Sequence, residues 1–137
     1  MESVSYTIKG STAKYSTHLS HREFACGCNH TDCVMQLARY DLLHAFDMTR
    51  IQYGEPITIT SGFRCQRHNR DIGGVDNSMH KIGAGVDFWS RDLGALEVAC
   101  QDHFDVVIRY KNYIHCQMNL AQFPEEDFIS WQYTKKD

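Results

Sequence analysis

Two histidines and one aspartate, drawn from separate parts of the chain, constrain most strongly what this sequence can fold into. His80 and Asp87 are the first and last residues of the run HKIGAGVD, and His115 lies in a later apolar run. Imidazole nitrogens and carboxylate oxygens are zinc ligands, and a site with three protein ligands keeps a fourth position open for water. A fold that unites these side chains must bring distant segments of the chain to one point.

The residues between His80 and Asp87 indicate how these two side chains would be delivered. Their spacing is too large for one helical turn, and Gly83 and Gly85 lie between them. Glycine allows the backbone to turn sharply. We therefore expect a loop to carry His80 and the strand that follows it to carry Asp87.

The third histidine lies in the middle of a predicted strand. Side chains alternate along a strand, so His115 shares one face with Tyr113 and Gln117 and could meet the other two ligands across a sheet. The alternative interpretation needs no metal: His80 would be a surface-loop histidine, Asp87 a strand-end cap and His115 a core histidine, because such spacings are common by chance.

Composition excludes several classes of function for this chain of 137 residues. The net charge is −3 with neutral histidines, so no basic excess indicates nucleic-acid binding. No apolar segment approaches the ~20 residues of a membrane span. The N-terminus lacks the basic and apolar regions of a secretory signal, so we expect delivery by cell lysis or in a virus particle rather than by export.

Local signals predict an N-terminal arm over 1–17 and one domain over 18–137. Ser20 and Glu23 have the spacing of a capping box, Asp32 and Asp92 are predicted helix caps, and Lys111-Asn112 is a predicted two-residue hairpin loop. A short entry turn is predicted at 18–24, and helical segments are predicted at 32–52, 66–72 and 92–103. The predicted strands lie at 57–60 (buried), 84–89, 105–110, 113–118 and 128–133.

This order of elements predicts the fold class. Helices and strands are mixed, and the late strands follow one another directly. We therefore expect a single α+β domain with a largely antiparallel sheet and flanking helices, rather than repeated βαβ units.

The motifs around the proposed ligands resemble those of a known family. In order, they are PITITSGFR at 56–64, HN at 68–69, GG at 73–74, NSMH at 77–80 and GAGVD at 83–87. They are similar to the zinc D-alanyl-D-alanine carboxypeptidases, a family that includes phage endolysins cutting peptidoglycan stem peptides. The resemblance covers about 18–118, and the pairing of SGxR with SxHxxGxAxD is specific.

The resemblance implies the Hedgehog/DD-peptidase fold, with Zn²⁺ held by His80, Asp87 and His115. It also implies that Arg64 binds substrate and stabilises the charge that develops during hydrolysis, while the alternative for Arg64 is a structural salt bridge. Ser78 would either bind substrate or hold its loop. The resulting expectation is a phage-encoded zinc peptidase of peptidoglycan stem peptides or cross-links, acting on the wall after lysis or delivery.

The general base is where the sequence departs from the family. Asn112 stands where many relatives carry an acidic residue, and Gln117 stands where many carry the aspartate of an HxD motif. Loss of a general base costs about 10²–10⁴ in rate. The alternative is therefore a catalytically degenerate module on the same fold, either a virion structural component with other virion proteins as partners or a cell-wall binder.

A second set of metal-ligand residue types precedes the long predicted helix. Cys26, Cys28 and Cys33 lie close together, and Cys65 in the SGxR turn could approach them. The sequence leaves three states open: reduced structural thiols, a second metal site and a disulfide. The missing signal peptide favours the first two over the third. Cys100 and Cys116 are expected to be small buried hydrophobic residues.

Overall fold

The computed structural model describes residues 4–8, 14–29, 33 and 35–119. Its strands are β1 (Val4–Ile8), β2 (Lys14–Ser16), β3 (Leu19–Ser20), β4 (Met35–Arg39), β5 (Thr58–Ser61), β6 (Gly85–Trp89), β7 (Val106–Arg109) and β8 (Ile114–Gln117). Its helices are α1 (His21–Phe24), α2 (Tyr40–Tyr53), α3 (Gln66–Asp71) and α4 (Leu93–Gln101), with a 3₁₀ turn at Met79–Ile82. The strand predicted at 128–133 lies outside the described residues.

A four-stranded sheet in the order β5-β6-β8-β7 forms the centre of the described fold, and its neighbouring strands are all antiparallel. β1 pairs with β4 and β2 with β3 in two smaller antiparallel ribbons. The predicted α+β class with a largely antiparallel sheet is confirmed. None of the helices in this part of the chain has the length and apolar character of a membrane span.

The two faces of the central sheet have different roles. Side chains alternate along β6 and β8. Phe88 and Ile114 are 0% exposed on the core face, where Phe46 of α2 contacts Phe88 edge to face at a centroid distance of 5.8 Å. Asp87 and His115, the neighbours of these two core residues, therefore project from the opposite face. The pleat itself separates the packed core from the candidate site.

Local sequence signals set several of the element boundaries as predicted. The Ser20 hydroxyl accepts a hydrogen bond from the Glu23 N–H at 3.4 Å, and the Glu23 carboxylate accepts from the Ser20 N–H at 2.9 Å, which completes the capping box. The Asp92 carboxylate caps α4 by accepting from the Ala95 N–H at 3.0 Å. The Tyr110 N–H donates to the Tyr113 carbonyl at 2.8 Å beyond the ends of β7 and β8, so Lys111-Asn112 forms the predicted two-residue turn at the tip of this hairpin.

The predicted helix at 32–52 is wrong at its beginning. Residues Met35–Arg39 form β4, and α2 begins only at Tyr40. Pairing of β4 with β1, in the register Val4 opposite Arg39, provides the backbone partners that a helix would otherwise supply. Asp32, the predicted cap, lies outside the described residues.

Two further expectations are corrected by the positions of strands. The segment predicted as a buried strand is half-exposed: in Thr58–Ser61, exposed and partly buried residues alternate, because β5 lies at the edge of the central sheet. Within the predicted irregular arm, Val4–Ile8 and Lys14–Ser16 are strands rather than irregular chain. The division of the chain at residue 18 stays a prediction.

Candidate metal centre

His80 reaches the open face of the sheet from the 3₁₀ turn that precedes β6. The Ser78 hydroxyl caps this turn by accepting a hydrogen bond from the His80 N–H at 3.2 Å. Gly83 ends the turn with φ of 71°, and a Cβ there would lie 2.5 Å from the Leu37 carbonyl oxygen of β4. Only glycine fits this left-handed, crowded position, so the turn that carries His80 is fixed by its neighbours on both sides.

Asp87 and His115 are delivered by the sheet. They lie directly opposite one another in the β6–β8 ladder. Asp87 Oδ1 lies 2.7 Å from His115 Nδ1 and 3.2 Å from His80 Nε2. The three side chains offer ligand atoms that all lie within 4.8 Å of one another. The convergence expected from the sequence is therefore present.

Each imidazole makes one hydrogen bond that points away from the centre. That bond determines whether the ring nitrogen facing the centre carries a proton or a lone pair. His80 Nδ1 lies 2.7 Å from the Gly62 carbonyl oxygen, and His115 Nε2 lies 2.7 Å from Gln117 Oε1. A carbonyl oxygen can only accept, so each of these ring nitrogens carries a proton. In the neutral imidazoles, the other two nitrogens then present lone pairs to Asp87 Oδ1.

Three acceptors that point at one another require a cation between them, either a proton or a metal ion. Backing of a ligating imidazole by a carbonyl is the usual outer shell of metal sites, because it fixes the tautomer and the ring orientation. The donor set therefore fits Zn²⁺ in both atom type and direction. His80 and Asp87 are nearly buried, with relative exposures of 2% and 7%, so these unlike groups meet largely out of water.

The electrostatics of the metal-free site agree with this interpretation. Burial by itself raises the pKa of Asp87, but hydrogen bonds from His115 and His80 outweigh it and hold the pKa of this carboxyl well below its usual range. Burial lowers the pKa of His115, yet the bonds to Asp87 and Gln117 leave that pKa raised overall. The metal-free pocket thus attracts positive charge to the position between these groups.

Arg64 contacts Oδ2, the second carboxylate oxygen of Asp87. Its guanidinium donates to Asp87 Oδ2 at 3.2 Å, to Asn69 Oδ1 at 3.2 Å and to Ser61 Oγ at 3.0 Å. Asn69 is 2% exposed and is itself anchored by donating to the Val75 carbonyl at 2.7 Å. Arg64 is therefore a held cation beside the centre, and it orients the carboxylate.

The centre opens into a cleft of about 390 Å³. The residues lining it are Arg64, Val75, Asn77, Ser78, Met79, His80, Asp87, Ile108, Tyr110, Tyr113, His115 and Gln117. Asp87 is the one carboxylate among these described residues. Asn112 is exposed in the β7–β8 loop and does not belong to the lining.

Two tyrosines form one wall of the cleft. The rings of Tyr110 and Tyr113 stack at a centroid distance of 4.8 Å. Burial and, after it, the charge of Asp87 raise the pKa of Tyr113, so its phenol keeps its proton and is a hydrogen-bond donor at neutral pH. Phe63 and Phe88, by contrast, are buried in the core.

Several residues that organise the site were not singled out for these roles by the sequence. Gly62 contributes a carbonyl oxygen, Gln117 accepts from His115, and Asn69 holds Arg64. The Asn69 signal was present in the HN motif, and Gln117 lies on the same strand face as His115. The part played by Gly62 depends on tertiary contacts alone and left no local signal.

The four clustered cysteines are also brought together, and none of them lines the cleft. Cys26, Cys28, Cys33 and Cys65 are all buried, and each offers a sulfur within 4.8 Å of the others. Cys100 and Cys116 are separate from this cluster and fully buried in the core, as expected.

The fold and the site together define a small α+β domain in which three candidate metal ligands line an open cleft. The sequence profile of the family described as Peptidase M15 matches residues 17–117, which is most of the chain. The chain belongs to this family of peptidases, whose members are generally zinc-dependent. No curated protein matches the chain.

Proposed function

We propose that this chain is a zinc-dependent peptidase that hydrolyses stem-peptide or cross-link bonds of peptidoglycan and is encoded by a phage. Membership of Peptidase M15 supports the peptidase class. The observation that carries the proposal is the arrangement of His80, Asp87 and His115, whose acceptor atoms point at one position beside an open cleft. The sequence motifs support peptidoglycan as the substrate, because they resemble those of enzymes that cut its stem peptides.

The residues of the chain have distinct roles in this proposal. His80 Nε2, His115 Nδ1 and an Asp87 oxygen would hold Zn²⁺, which when bound supplies a Lewis acid and lowers the pKa of a bound water toward ~7. Gly62 and Gln117 fix the imidazole tautomers from behind. Ser78 holds the turn of His80, and because it also lines the cleft, its role in substrate binding stays a prediction.

Arg64 gives the cleft its positive charge next to the reacting centre. Its side chain is 13% exposed, and its guanidinium lies 3.2 Å from Asp87 Oδ2. A planar guanidinium is suited to a peptide carboxylate and to an oxyanion, both of which carry negative charge. Among the groups lining the described cleft, Tyr113 adds a neutral hydrogen-bond donor.

A second candidate function follows from one observation. Asp87 is the single carboxylate among the described residues that line the cleft, and it is already engaged by two imidazoles and a guanidinium. A chain without a general base would bind zinc and wall peptide with little turnover. This module would be a virion component with other virion proteins as partners, or a cell-wall binder.

Clearing of a peptidoglycan suspension, with and without a chelator, separates the two functions. We expect chelator-sensitive clearing, together with cleavage of short stem peptides. His115→Ala should lose activity and the zinc of the histidine centre, while His103→Ala, which removes a histidine that bonds Gln52 outside the cleft, should keep both. Arg64→Lys should keep zinc and lose about 10²-fold in kcat/KM, because lysine keeps the positive charge but not the two parallel N–H donors of the guanidinium.

The possible outcomes have distinct meanings. Inert wild-type protein that sediments with the wall and loses one zinc ion when His115 is replaced by alanine supports the second candidate. Activity on short peptides without any effect on the wall would replace peptidoglycan by another peptide substrate. Wild-type protein that takes up no zinc contradicts both functions.

A further inference from the structure

We propose that Cys26, Cys28, Cys33 and Cys65 form a second metal site, in which Zn²⁺ is held by four sulfurs for a structural purpose. The four residues come from two segments, 26–33 and the turn after β5, which the fold brings together. This site is separate from the centre of His80, Asp87 and His115, and it does not depend on the proposed peptidase activity.

The distances between the sulfurs match a tetrahedral zinc site. Zn–S bonds are about 2.3 Å long, which places the sulfurs of a tetrahedron about 3.8 Å apart. Cys26 Sγ lies 3.8 Å from Cys65 Sγ, and Cys65 Sγ lies 4.0 Å from Cys28 Sγ. A disulfide would need about 2.05 Å. All four sulfurs lie within 4.8 Å of one another, so one ion can contact each of them.

Burial closes the shell of ligands around this position. Relative exposures are 2% for Cys26, 7% for Cys28, 8% for Cys33 and 5% for Cys65. Four protein ligands and little access to water are the properties of structural rather than catalytic zinc sites. Without a metal, burial raises the pKa of Cys26 to about 11, so this thiol keeps its proton at neutral pH.

Backbone amides support the sulfurs as an outer shell. The Cys65 N–H donates to Cys26 Sγ at 3.4 Å, and the His68 N–H donates to Cys65 Sγ at 3.4 Å. Such donors stabilise the negative charge that thiolates acquire when zinc displaces their protons. The cluster therefore offers both the ligand geometry and the compensating dipoles of a metal site.

The position of the cluster shows what a metal there would stabilise. Cys65 directly follows Arg64, which contacts Asp87, and the Phe63 N–H donates to the Phe24 carbonyl at 2.8 Å. A zinc ion joining 26–33 to Cys65 would hold the turn after β5 at Cys65, in addition to the hydrogen bond that holds it at Phe63. Its loss should loosen the Gly62 carbonyl that orients His80, as well as Arg64.

Zinc content measured on the purified full chain tests the site. We expect about two zinc ions per chain in the wild type, and about one each in Cys26→Ser and in the double variant His80→Ala/His115→Ala. Cys100→Ala, which alters a fully buried cysteine outside the cluster, is the matched control and should keep about two ions.

Cobalt substitution gives a readout that needs no cysteine variant to fold. The double histidine variant, stripped of zinc and loaded with Co²⁺, should show sulfur-to-cobalt charge-transfer absorption with a tetrahedral d–d spectrum. Failure of the peptidase proposal leaves this result unchanged, because the histidine centre is absent from that protein. Absence of the thiolate bands, or a Cys26–Cys65 disulfide found by mass spectrometry of the purified protein, would overturn the proposed cysteine site.

Discussion

Replacing Gln117 by leucine removes the group that holds His115 in its ligand tautomer. Gln117 Oε1 lies 2.7 Å from His115 Nε2, while Nδ1 of the same ring faces Asp87 at 2.7 Å. Leucine has a similar size and suits a strand, but it accepts no hydrogen bond. The partly buried Nε2–H then has no acceptor at that position, and the ring loses its preference for presenting Nδ1 to the metal.

The size of the effect follows from the role of an outer-shell partner. Removal of such a partner typically costs 10–100-fold in metal affinity. This corresponds to about 1.4–2.7 kcal/mol of binding free energy. Gln117→Glu keeps an acceptor and makes it anionic, so it should bind zinc at least as tightly as the wild type.

Competition with a chromophoric chelator measures the zinc affinity of the three proteins, after Cys26→Ser has been introduced into each to remove the second proposed site. We expect Gln117→Leu to bind at least about 10-fold more weakly than its parent, and Gln117→Glu not to. Equal affinities in the leucine variant and its parent would refute the inferred tautomer and the outer-shell role of Gln117. Circular dichroism confirms that the variants are folded.

Two further predictions concern packing and pH. Gly62→Ala should lower the free energy of unfolding by about 1–3 kcal/mol in urea titrations, because its Cβ would lie 2.2 Å from the Phe24 carbonyl oxygen. The raised pKa of His115 stabilises the metal-free protein below the ordinary value of about 6.5, and this contribution is lost as pH rises through the raised pKa. Because zinc requires neutral imidazoles, the increase in Tm on adding zinc should be larger near pH 8 than near pH 6.

Each of these predictions has its own control. Gly94→Ala, on α4, meets neighbours no closer than 3.6 Å and should be neutral or stabilising by up to about 1 kcal/mol. If Gly62→Ala is as stable as Gly94→Ala, the close approach to Phe24 is wrong. A Tm increase that is equal at both pH values, in a variant without the cysteine site, would contradict the competition between zinc and protons at His115.

Elements whose signals lie within a few residues were predictable from the sequence. The capping box at Ser20, the cap at Asp92 and the loop Lys111-Asn112 depend on side chains and backbone groups close in the chain. The local sequence therefore already contains the partners that form these boundaries.

The errors arose where a distant partner decides the local structure. Residues at 35–39 continue an apolar pattern that suits a helix, but they form β4 because β1 supplies its backbone partners. Likewise, the β-branched run at 57–60 is typical of a buried strand, yet β5 lies at the edge of the sheet. Neither the pairing nor the strand order can be derived from one segment alone.

The candidate site shows the same division. His80, Asp87, His115 and Arg64 were predicted from motif spacing and resemblance, and the structure brings them into contact. The supporting groups were not predicted. The Gly62 carbonyl, for example, is a backbone group, and no distinctive side chain marks it in the sequence. A sequence motif identifies the residue that carries the chemistry more readily than the backbone atom that orients it.

The direct opposition of Asp87 and His115 in the β6–β8 ladder has a consequence for how this domain can diversify. Main-chain pairing sets the separation of these two side chains. Changes in the loops that line the cleft therefore leave that spacing intact. Under the proposed function, substitutions at Val75, Asn77 or Tyr110 would then change which peptide is accepted, while Asp87 and His115 stay in register. Selectivity and metal retention can vary independently in such an architecture.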